Sequence, residues 1–217
     1  MIIAIDGPAG SGKSTIAKLV AKKLNFLYID TGAMYRAVTL KGIMNNIDFC
    51  NKDEVIKLAE NSKIELENIN GSLKVFLDNT DVSLRIRYPD ITKYVSDVAK
   101  IEGVRKILSK LQREIASGKD VILDGRDIGT VIFPNAEKKF FLDADFKERA
   151  NRRFLELKDS NTITVNDVEN DLKNRDAIDS TREVAPLKKA DDAIYIDTTN
   201  MTIHEVVDKV LEYIGAG

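Results

Sequence analysis

Short apolar runs alternate with segments of helical periodicity along most of the chain. Apolar positions 16, 19, 20 and 24 follow the spacing of an amphipathic helix, and 203–213 predicts a last helix. Five short apolar runs predict β-strands, each followed by a turn that contains Gly or Asp: 2–5, 26–29, 121–123, 140–142 and 193–196. Strands that alternate with helices favour an α/β fold, with a parallel five-stranded sheet flanked by helices.

The stretch 64–87 has a different pattern. Positions 64–67 and 73–75 alternate between apolar and polar residues on either side of an Asn70-Gly71 turn, which is typical of an antiparallel hairpin. A helix over 104–117, ended by Gly118, then returns the chain to the core. The pattern predicts a small β-rich insert on the α/β core.

Length and composition limit the possible classes of protein. The chain has 217 residues, 43% of them hydrophobic, which favours one domain over 1–217 with insertions. The net charge of −2 argues against a disordered polyelectrolyte and against binding of nucleic acid through a net basic surface. A single cysteine, Cys50, excludes an internal disulfide and a cysteine-built zinc site.

The sequence also bears on location. No apolar run reaches the length of a membrane span, and the first residues lack the basic region of a signal peptide. The single cysteine fits a reducing compartment. We therefore expect a cytoplasmic protein with no membrane partner.

A glycine-rich turn follows the first predicted strand. Gly7-Pro8-Ala9-Gly10-Ser11-Gly12-Lys13-Ser14 matches the pattern G-x-x-x-x-G-K-[ST], with a strand before it and a helix after it. Backbone N–H groups of such a loop form a nest for phosphate, and Lys13 is expected to reach the β- and γ-phosphates. The predicted ATP-binding residues are this loop and Thr15. Ser14 is the predicted ligand of Mg²⁺, with Asp124 at the end of the third strand as its partner.

The loop predicts a nucleoside triphosphate but leaves the reaction open. A kinase that moves the γ-phosphoryl to a small acceptor competes with a nucleotide-dependent switch protein. A guanine-nucleotide switch needs N-K-x-D after a strand, and Asn51-Lys52-Asp53-Glu54 fails at its last position and precedes a helical pattern. Another small-molecule kinase with this loop stays open as a further alternative.

Three further blocks narrow the choice of acceptor. They are Asp30-Thr31-Gly32-Ala33-Met34-Tyr35-Arg36, Asp124-Gly125-Arg126-Asp127-Ile128-Gly129, and Arg175-Asp176-x-x-Asp179-x-x-Arg182. In this order and spacing, together with the phosphate loop, the chain resembles the bacterial cytidylate kinases, a family of nucleoside-monophosphate kinases. The resemblance runs from Ile3 to about Ile214.

The resemblance implies a P-loop kinase core with a monophosphate-binding insert at about 61–100 and a short helical lid at about 152–182. It implies transfer of the γ-phosphoryl of ATP to CMP or dCMP with Mg²⁺, by a monomeric enzyme. It places phosphate-binding arginines at Arg36 and Arg126, base-reading groups at Ser96, Arg105 and Asp127, and sugar and lid contacts at Arg175, Asp179 and Arg182. The implied CMP-binding residues are these eight and Thr31.

The residue types suit these roles. Asp127 can accept a hydrogen bond from the N4 amino group of cytosine, while Arg105 and Ser96 can donate to N3 and O2. Spacings of four and three put Arg175, Asp179 and Arg182 on one helical face, with Asp179 orienting both guanidinium groups and Pro186 stopping the helix. A surface row of salt bridges is the alternative for these three residues.

The polar stretch that begins at Lys158 lies between arginines. It is either a solvated helical hairpin or a mobile cover that carries phosphate-seeking arginines. Arg149 and Arg153 share a helical face, so one of the two is expected to be structural. The predicted catalytic residues are Lys13, Arg126, Arg153 and Arg175.

Overall fold

The computed structural model of the chain describes residues 1–69, 72–157 and 163–215. Its strands and helices, in chain order, are β1 (Ile2–Asp6), α1 (Lys13–Leu24), β2 (Leu27–Asp30), α2 (Thr31–Met44), α3 (Lys52–Glu60), β3 (Ile64–Ile69), β4 (Ser72–Leu77), β5 (Thr80–Asp81), α4 (Pro89–Ala99), α5 (Glu102–Ala116), β6 (Val121–Gly125), β7 (Lys138–Asp143), α6 (Phe146–Leu157), α7 (Val165–Thr181), β8 (Ile194–Asp197) and α8 (Ile203–Ile214). A short 3-10 turn covers Arg85–Arg87, and a five-residue π-helix covers Ile128–Ile132.

Five parallel strands form the central sheet, in the order β2-β6-β1-β7-β8. The predicted α/β class and five-stranded parallel sheet are confirmed. Asp30 of β2 is in register with Asp124 of β6, and Asp6 of β1 is in register with Gly125. The polar residues that end these strands therefore lie together at one edge of the sheet, where ligands bind in open α/β folds.

Helices cover both faces of this sheet, as its apolar strands require. On one face, Ile16 and Val20 of α1 pack with Val206 and Val210 of α8. On the other face, Ala116 of α5 and the apolar side chains of the π-helix pack against β1, β2 and β6. Ile3 and Ile5 of β1 point to one face and Ala4 to the other, and all three are buried completely, so both faces of the central strand are apolar here.

The insert is β-structured in its first half only. β3 and β4 pair antiparallel, and β5 pairs antiparallel with β4, so the predicted hairpin is confirmed. Its Asn70-Gly71 turn lies outside the described residues. The chain then passes through the 3-10 turn into α4, so the expected β-rich insert is helical in its second half. Gly118 follows the end of α5 with φ +69, a conformation that suits glycine.

The predicted end of the lid helix is wrong. α7 ends at Thr181, five residues before Pro186, and the backbone of Arg182 is extended. Arg182 Nε donates to the Ala185 carbonyl at 2.7 Å, and Ala185 adopts φ +52. A local turn held by Arg182 therefore ends the helix. The segment 152–182, where the lid is expected, contains the second half of α6 and the whole of α7, and positions 158–162 between them lie outside the described residues.

Across the described ranges, every helix is too short or too polar to cross a bilayer.

Candidate active site

The phosphate loop joins β1 to α1 at the carboxyl edge of the sheet. Gly10 and Gly12 adopt φ +76 and φ +84, which glycine tolerates at low cost. The first turn of α1 holds no acidic residue, and Gly12 at its N-cap offers no side chain, so the helix presents free N–H groups to an anion. Lys13 is buried and donates from Nζ to the Pro8 carbonyl at 2.9 Å. Burial, followed by the nearby charge of Arg126, holds the pKa of Lys13 well below its usual value.

Ser14 and Asp124 meet across the mouth of this loop. Ser14 Oγ donates to Asp124 Oδ2 at 2.5 Å, and Tyr28 donates to the other carboxylate oxygen at 2.7 Å. Burial and the neighbouring carboxylate of Asp30 raise the pKa of Asp124 to about 6. A hydroxyl and a carboxylate are the hard oxygen donors that Mg²⁺ prefers, so these residues fit the ion.

Across the described residues no set of three or more acidic, His or Cys side chains forms a metal site by itself. Protein ligands alone therefore do not build a closed cage here. Mg²⁺ is usually bound through one or two carboxylates together with substrate phosphates and waters. The arrangement suits a metal that arrives with a nucleotide.

Two arginines face the cleft without a close carboxylate. Arg36 of α2 donates to Thr92 Oγ1 at 2.8 Å and forms no ion pair within the part of the chain described here. Burial, then Arg175 and Arg87, lower the pKa of Arg36 to about 9. Arg175 of α7 is buried, its closest carboxylate is Asp171 at 3.7 Å, and its Nε has no partner among the described atoms. Both guanidinium groups are therefore available to an anion.

Asp179 has different partners from those expected. Its Oδ2 accepts from Arg126 Nε at 2.8 Å, and its Oδ1 lies 3.7 Å from Arg182 Nη1. The prediction that Asp179 orients Arg175 and Arg182 is therefore wrong for Arg175, whose ion pair is with Asp171. Burial alone would raise the pKa of Asp179, but Arg126 and Arg182 outweigh it and lower that pKa.

The predicted base-reading residues lie together at the other end of the cleft. Arg105 of α5 donates to Asp127 Oδ2 at 2.5 Å and to the Ala99 carbonyl at 2.9 Å. The Tyr35 ring lies 5.5 Å from the Arg105 guanidinium carbon. Burial would lower the pKa of Arg105, but Tyr35 and Asp127 raise it. Ser96 of α4 is buried beside them in the same wall.

One cleft of about 340 Å³ connects these groups. Of the predicted site residues, three do not line it: Gly7, Pro8 and Ser11 form the back of the phosphate loop. The others line the cleft: Ala9, Gly10, Gly12, Lys13, Ser14, Thr15, Thr31, Arg36, Ser96, Arg105, Asp124, Arg126, Asp127, Arg153, Arg175, Asp179 and Arg182.

Two residues that line the cleft, Arg87 and Asp30, were not predicted from the sequence to have a functional role. Arg87, in the 3-10 turn of the insert, donates to Asp30 Oδ2 at 2.5 Å. The other oxygen of Asp30 caps α2 through the Ala33 amide at 2.9 Å. Burial would raise the pKa of Asp30, but Arg87 overcomes it and the pKa is lowered. Asp30 belongs to the sequence block 30–36, so a signal for it was present, whereas no sequence pattern pointed to Arg87.

Arg149 and Arg153, two of the three arginines of α6, have different partners, in line with the expectation that one of them is structural. Arg149 donates to the Ala9 carbonyl at 3.0 Å and to Asp176 at 2.5 Å, so it braces the phosphate loop from behind. Arg153 lines the cleft and pairs with Glu156 at 2.8 Å. Arg149 is therefore the structural member of the pair.

The parallel sheet, the phosphate loop and the helical lid define a P-loop kinase fold. A solved shikimate kinase from Bacteroides thetaiotaomicron shares it, with a TM-score of 0.51 and 12% identity over 99% of this chain and 98% of that chain. An uncharacterized protein from Eubacterium ventriosum gives a TM-score of 0.53 with 14% identity, over 100% of this chain and 99% of that chain. These likenesses concern the fold alone.

Sequence relatives are more specific. The family model for cytidylate kinase matches residues 3–216. A cytidylate kinase from Clostridioides difficile is 53% identical over 216 residues, which cover 99% of this chain and 98% of that protein. One from Caldicellulosiruptor saccharolyticus is 52% identical over 211 residues, 97% of this chain and 93% of that protein. This chain belongs to the cytidylate kinase family.

Proposed function

We propose that this protein transfers the γ-phosphoryl of ATP to CMP or dCMP and releases ADP and CDP or dCDP. An oxygen of the acceptor phosphate forms the new bond to the γ-phosphorus, and the bond from that phosphorus to the β–γ bridging oxygen breaks. The observation that carries the proposal is one cleft with a phosphate loop at one end and the Arg105–Asp127 pair at the other. Membership of the cytidylate kinase family supports it.

The phosphate loop and Lys13 would hold the ATP phosphates. Lys13 already lies within the loop, and burial and Arg126 lower its pKa although Asp124 and Asp179 oppose that shift. The negative charge of a bound triphosphate would favour the charged form of Lys13. Ser14 and Asp124 would hold Mg²⁺, which supplies charge neutralisation to the phosphate oxygens.

The acceptor phosphate would lie between Arg36 and Arg126. Planar guanidinium groups hold phosphate oxygens with paired hydrogen bonds, and Arg36 forms no ion pair with a described carboxylate that would first have to break. The second ionisation of a phosphate monoester has a pKa near 6, so the nucleophile is already charged at neutral pH. We therefore assign no general base. Arg153 and Arg175 from the lid would stabilise charge on the transferring group.

Base selection would rest on Asp127, Arg105 and Ser96. Cytosine offers an amino donor to the carboxylate and acceptors to the other two groups. Uracil reverses two of these positions, so its O4 would face a carboxylate and buried polar groups would lose their partners. Such a mismatch can reject a substrate by roughly 10⁴-fold. Asp179 and Arg182, with Thr31, would contact the sugar side.

Several coarser expectations belong to the same proposal. We infer one domain over 1–217, with the insert at about 61–100 and the lid at about 152–182. We also propose a monomer in the cytoplasm, with ATP and CMP or dCMP as its partners and no nucleic acid or membrane. The family resemblance and the single cysteine support this proposal.

The test is ADP release in a coupled assay with ATP and Mg²⁺, offering CMP, dCMP, UMP, AMP, GMP and dTMP in turn. Turnover on CMP and dCMP well above the other four is expected. Equal turnover on UMP would keep the kinase and overturn the account of base selection. Turnover only on a different small molecule would favour another P-loop kinase. Turnover on no acceptor at all would favour a nucleotide-dependent switch protein.

A matched pair of variants on α1 separates chemistry from stability. Lys13→Met removes the buried cation of the phosphate loop and should lower kcat by about 100-fold or more. Lys18→Met removes an exposed lysine of the same helix and should leave kcat unchanged. An active Lys13→Met variant would contradict the assignment of the phosphate loop.

A further inference from the structure

Asp6 is a buried carboxylate that the reaction described above does not use. It is the last residue of β1, directly before the phosphate loop, and only 4% of it is exposed. No lysine or arginine of the described ranges forms an ion pair with it. Burial raises the pKa of Asp6 to about 7, although two backbone hydrogen bonds and Arg126 oppose that rise. A buried carboxylate without a paired cation is costly, so the hydrogen bonds that Asp6 accepts must offset that cost.

Both carboxylate oxygens of Asp6 bind the loop that reads the acceptor. The Ile128 amide donates to Oδ1 at 2.9 Å, and the Gly129 amide donates to Oδ2 at 2.8 Å. These amides open the π-helix that directly follows Arg126 and Asp127. The contact therefore ties the start of the phosphate loop to the segment that carries an acceptor-phosphate arginine and the base-reading carboxylate.

Asp127 occupies the position from which a side chain would normally cap this π-helix. The first N–H groups of a helix lack partners inside it, and Asp at the N-cap commonly accepts from them. Asp127 makes no such hydrogen bond and instead accepts from Arg105. Asp6 supplies the missing acceptor from a different strand. Asp127 is thereby free to point into the cleft.

The approach is close enough to restrict Gly129. A Cβ built on this residue would lie 3.1 Å from Lys139 Cδ and 3.4 Å from Asp6 Oδ2. A methyl group at this position would therefore require the Lys139 side chain or the loop to shift by a few tenths of an ångström. This gives a physical reason for the glycine in the Gly125-Arg126-Asp127-Ile128-Gly129 block.

We propose that Asp6 is a positioning residue for acceptor selection: it caps the π-helix in place of Asp127 and so keeps the Asp127 carboxylate on Arg105 and toward the base. The inference rests on the proposed cytidylate kinase reaction and adds a residue outside the cleft to its specificity. Asp6 itself touches neither nucleotide.

The test compares kcat/KM for CMP with kcat/KM for UMP in Asp6→Asn. Asparagine has one side-chain acceptor, and its amide group would face one of the two backbone donors. The ratio of the two constants should fall by about 10-fold to 100-fold, as for a group displaced by about 1 Å. KM for ATP should stay within about twofold, because the phosphate loop keeps its own contacts.

A double-mutant cycle shows whether Asp6 acts through Asp127. If it does, Asp6→Asn combined with Asp127→Asn should select no worse than Asp127→Asn alone. If the double variant instead loses selectivity by the product of the two single-variant losses, the proposal is overturned. Val207→Ala, on α8 in the core cluster that contains Ile3 and Ile5 of β1, lowers stability without touching the loop, and its selectivity should be that of the parent. An equal loss of selectivity in Val207→Ala would also overturn it.

A second variant covers the case in which Asp6→Asn fails to fold. Asp6→Glu keeps the carboxylate but adds one methylene group, which displaces the two oxygens from the Ile128 and Gly129 amides. It should therefore lower the same ratio in the same direction. An unchanged ratio in a folded Asp6→Asn or Asp6→Glu overturns the positioning role. A parent enzyme that does not prefer CMP to UMP instead overturns the proposed function, so the two failures are distinguishable.

Discussion

At the scale of single residues, the cleft contains positive charge that the protein does not neutralise. Arg36 has no carboxylate partner in the described chain, and Arg175 has only a distant one. Burial lowers the pKa values of both residues. Arg175 and Arg87 lower that of Arg36 further, and Arg126 and Arg153 lower that of Arg175 further. Binding of anionic phosphates in the cleft offsets this repulsion among the arginines, which contributes to the free energy of binding.

Asp127→Asn should reduce selection of the base. The variant loses the carboxylate that pairs with Arg105 and accepts from the amino group of cytosine. The CMP-to-UMP ratio of kcat/KM should fall by about 100-fold or more. Initial rates with both nucleotides measure it. Asp208→Asn, a surface carboxylate paired with Lys23, is the control and should keep the parent ratio. An unchanged ratio in Asp127→Asn would remove Asp127 from base selection.

Asp6 should also make stability depend on pH. Its pKa is raised to about 7 in the folded protein from an ordinary value near 4. The folded state therefore binds more protons than the unfolded state between these values, and the free energy of unfolding falls as pH rises toward 7. The loss is at most about 1.4 kcal/mol per pH unit.

Urea unfolding of the parent and of Asp6→Asn between pH 5 and pH 8 measures this effect. The stability of the parent relative to the variant should decrease from pH 5 to about pH 7 and then level off. Parallel curves across the range would show that Asp6 does not titrate there. Arg126 and Asp127, whose charges act on the pKa of Asp6, are common to both proteins.

At the scale of elements, the site is made by strand ends, one insert and one lid. The register of β2, β6 and β1 brings residues from three distant blocks to one edge of the sheet. The insert adds Arg87, Ser96 and, through the following helix, Arg105. Asp30 links the two parts, because one of its oxygens caps α2 and the other accepts from Arg87.

Arg87→Ala should loosen the insert from the core. It leaves the buried Asp30 without its cation, and the loss should reach α2, which carries Arg36. KM for CMP should rise by about 3-fold to 10-fold, with a smaller change for ATP. The free energy of unfolding should fall by only about 1–2 kcal/mol, because Arg87 is 51% exposed in its side chain and water screens the pair.

The matched control for this prediction is Arg85→Ala in the same 3-10 turn. Arg85 pairs with the exposed Asp90 on the surface, at 2.5 Å, and does not line the cleft. Its KM for CMP should equal that of the parent. Steady-state rates at varied CMP compare the three proteins, and equal KM values in Arg87→Ala and Arg85→Ala would contradict the linking role of Arg87.

At the scale of the whole molecule, the cleft has an excess of positive charge although the chain has a net negative charge. The net charge is −2, yet the residues described as lining the cleft include eight cations and five carboxylates. Two anionic substrates are therefore attracted locally by a protein that is weakly negative overall. Concave sites with charge of one sign raise the local concentration of the opposite ion and speed its association.

Salt should reveal which charge governs substrate binding. Raising ionic strength from about 0.01 M to about 0.15 M shortens the screening length from about 30 Å to about 8 Å. If the cleft dominates, kcat/KM for CMP should fall by about 10-fold. If the net charge dominates, it should rise slightly. Initial rates at fixed free Mg²⁺ show whether kcat/KM falls or rises with ionic strength. Sucrose, which adds solute without charge, is the control.

The sequence predicted well where local patterns carry the information. Apolar runs located all five strands of the sheet to within a few residues, because strands covered on both faces have no polar alternation. The phosphate loop was readable because glycines and Lys13 must occur at fixed spacing. Local spacing failed at Pro186, because a turn held by Arg182 ends the helix earlier.

By itself, the sequence determined the α/β class, the family resemblance and most of the residues that line the cleft. Only the tertiary structure decided the strand order, the partner of Asp179, the link from Arg87 to Asp30 and the cap that Asp6 places on the π-helix. Each of these depends on residues that are distant in the chain and adjacent in space. One-dimensional spacing carries no record of such contacts, since they follow from the packing of complete elements against one another.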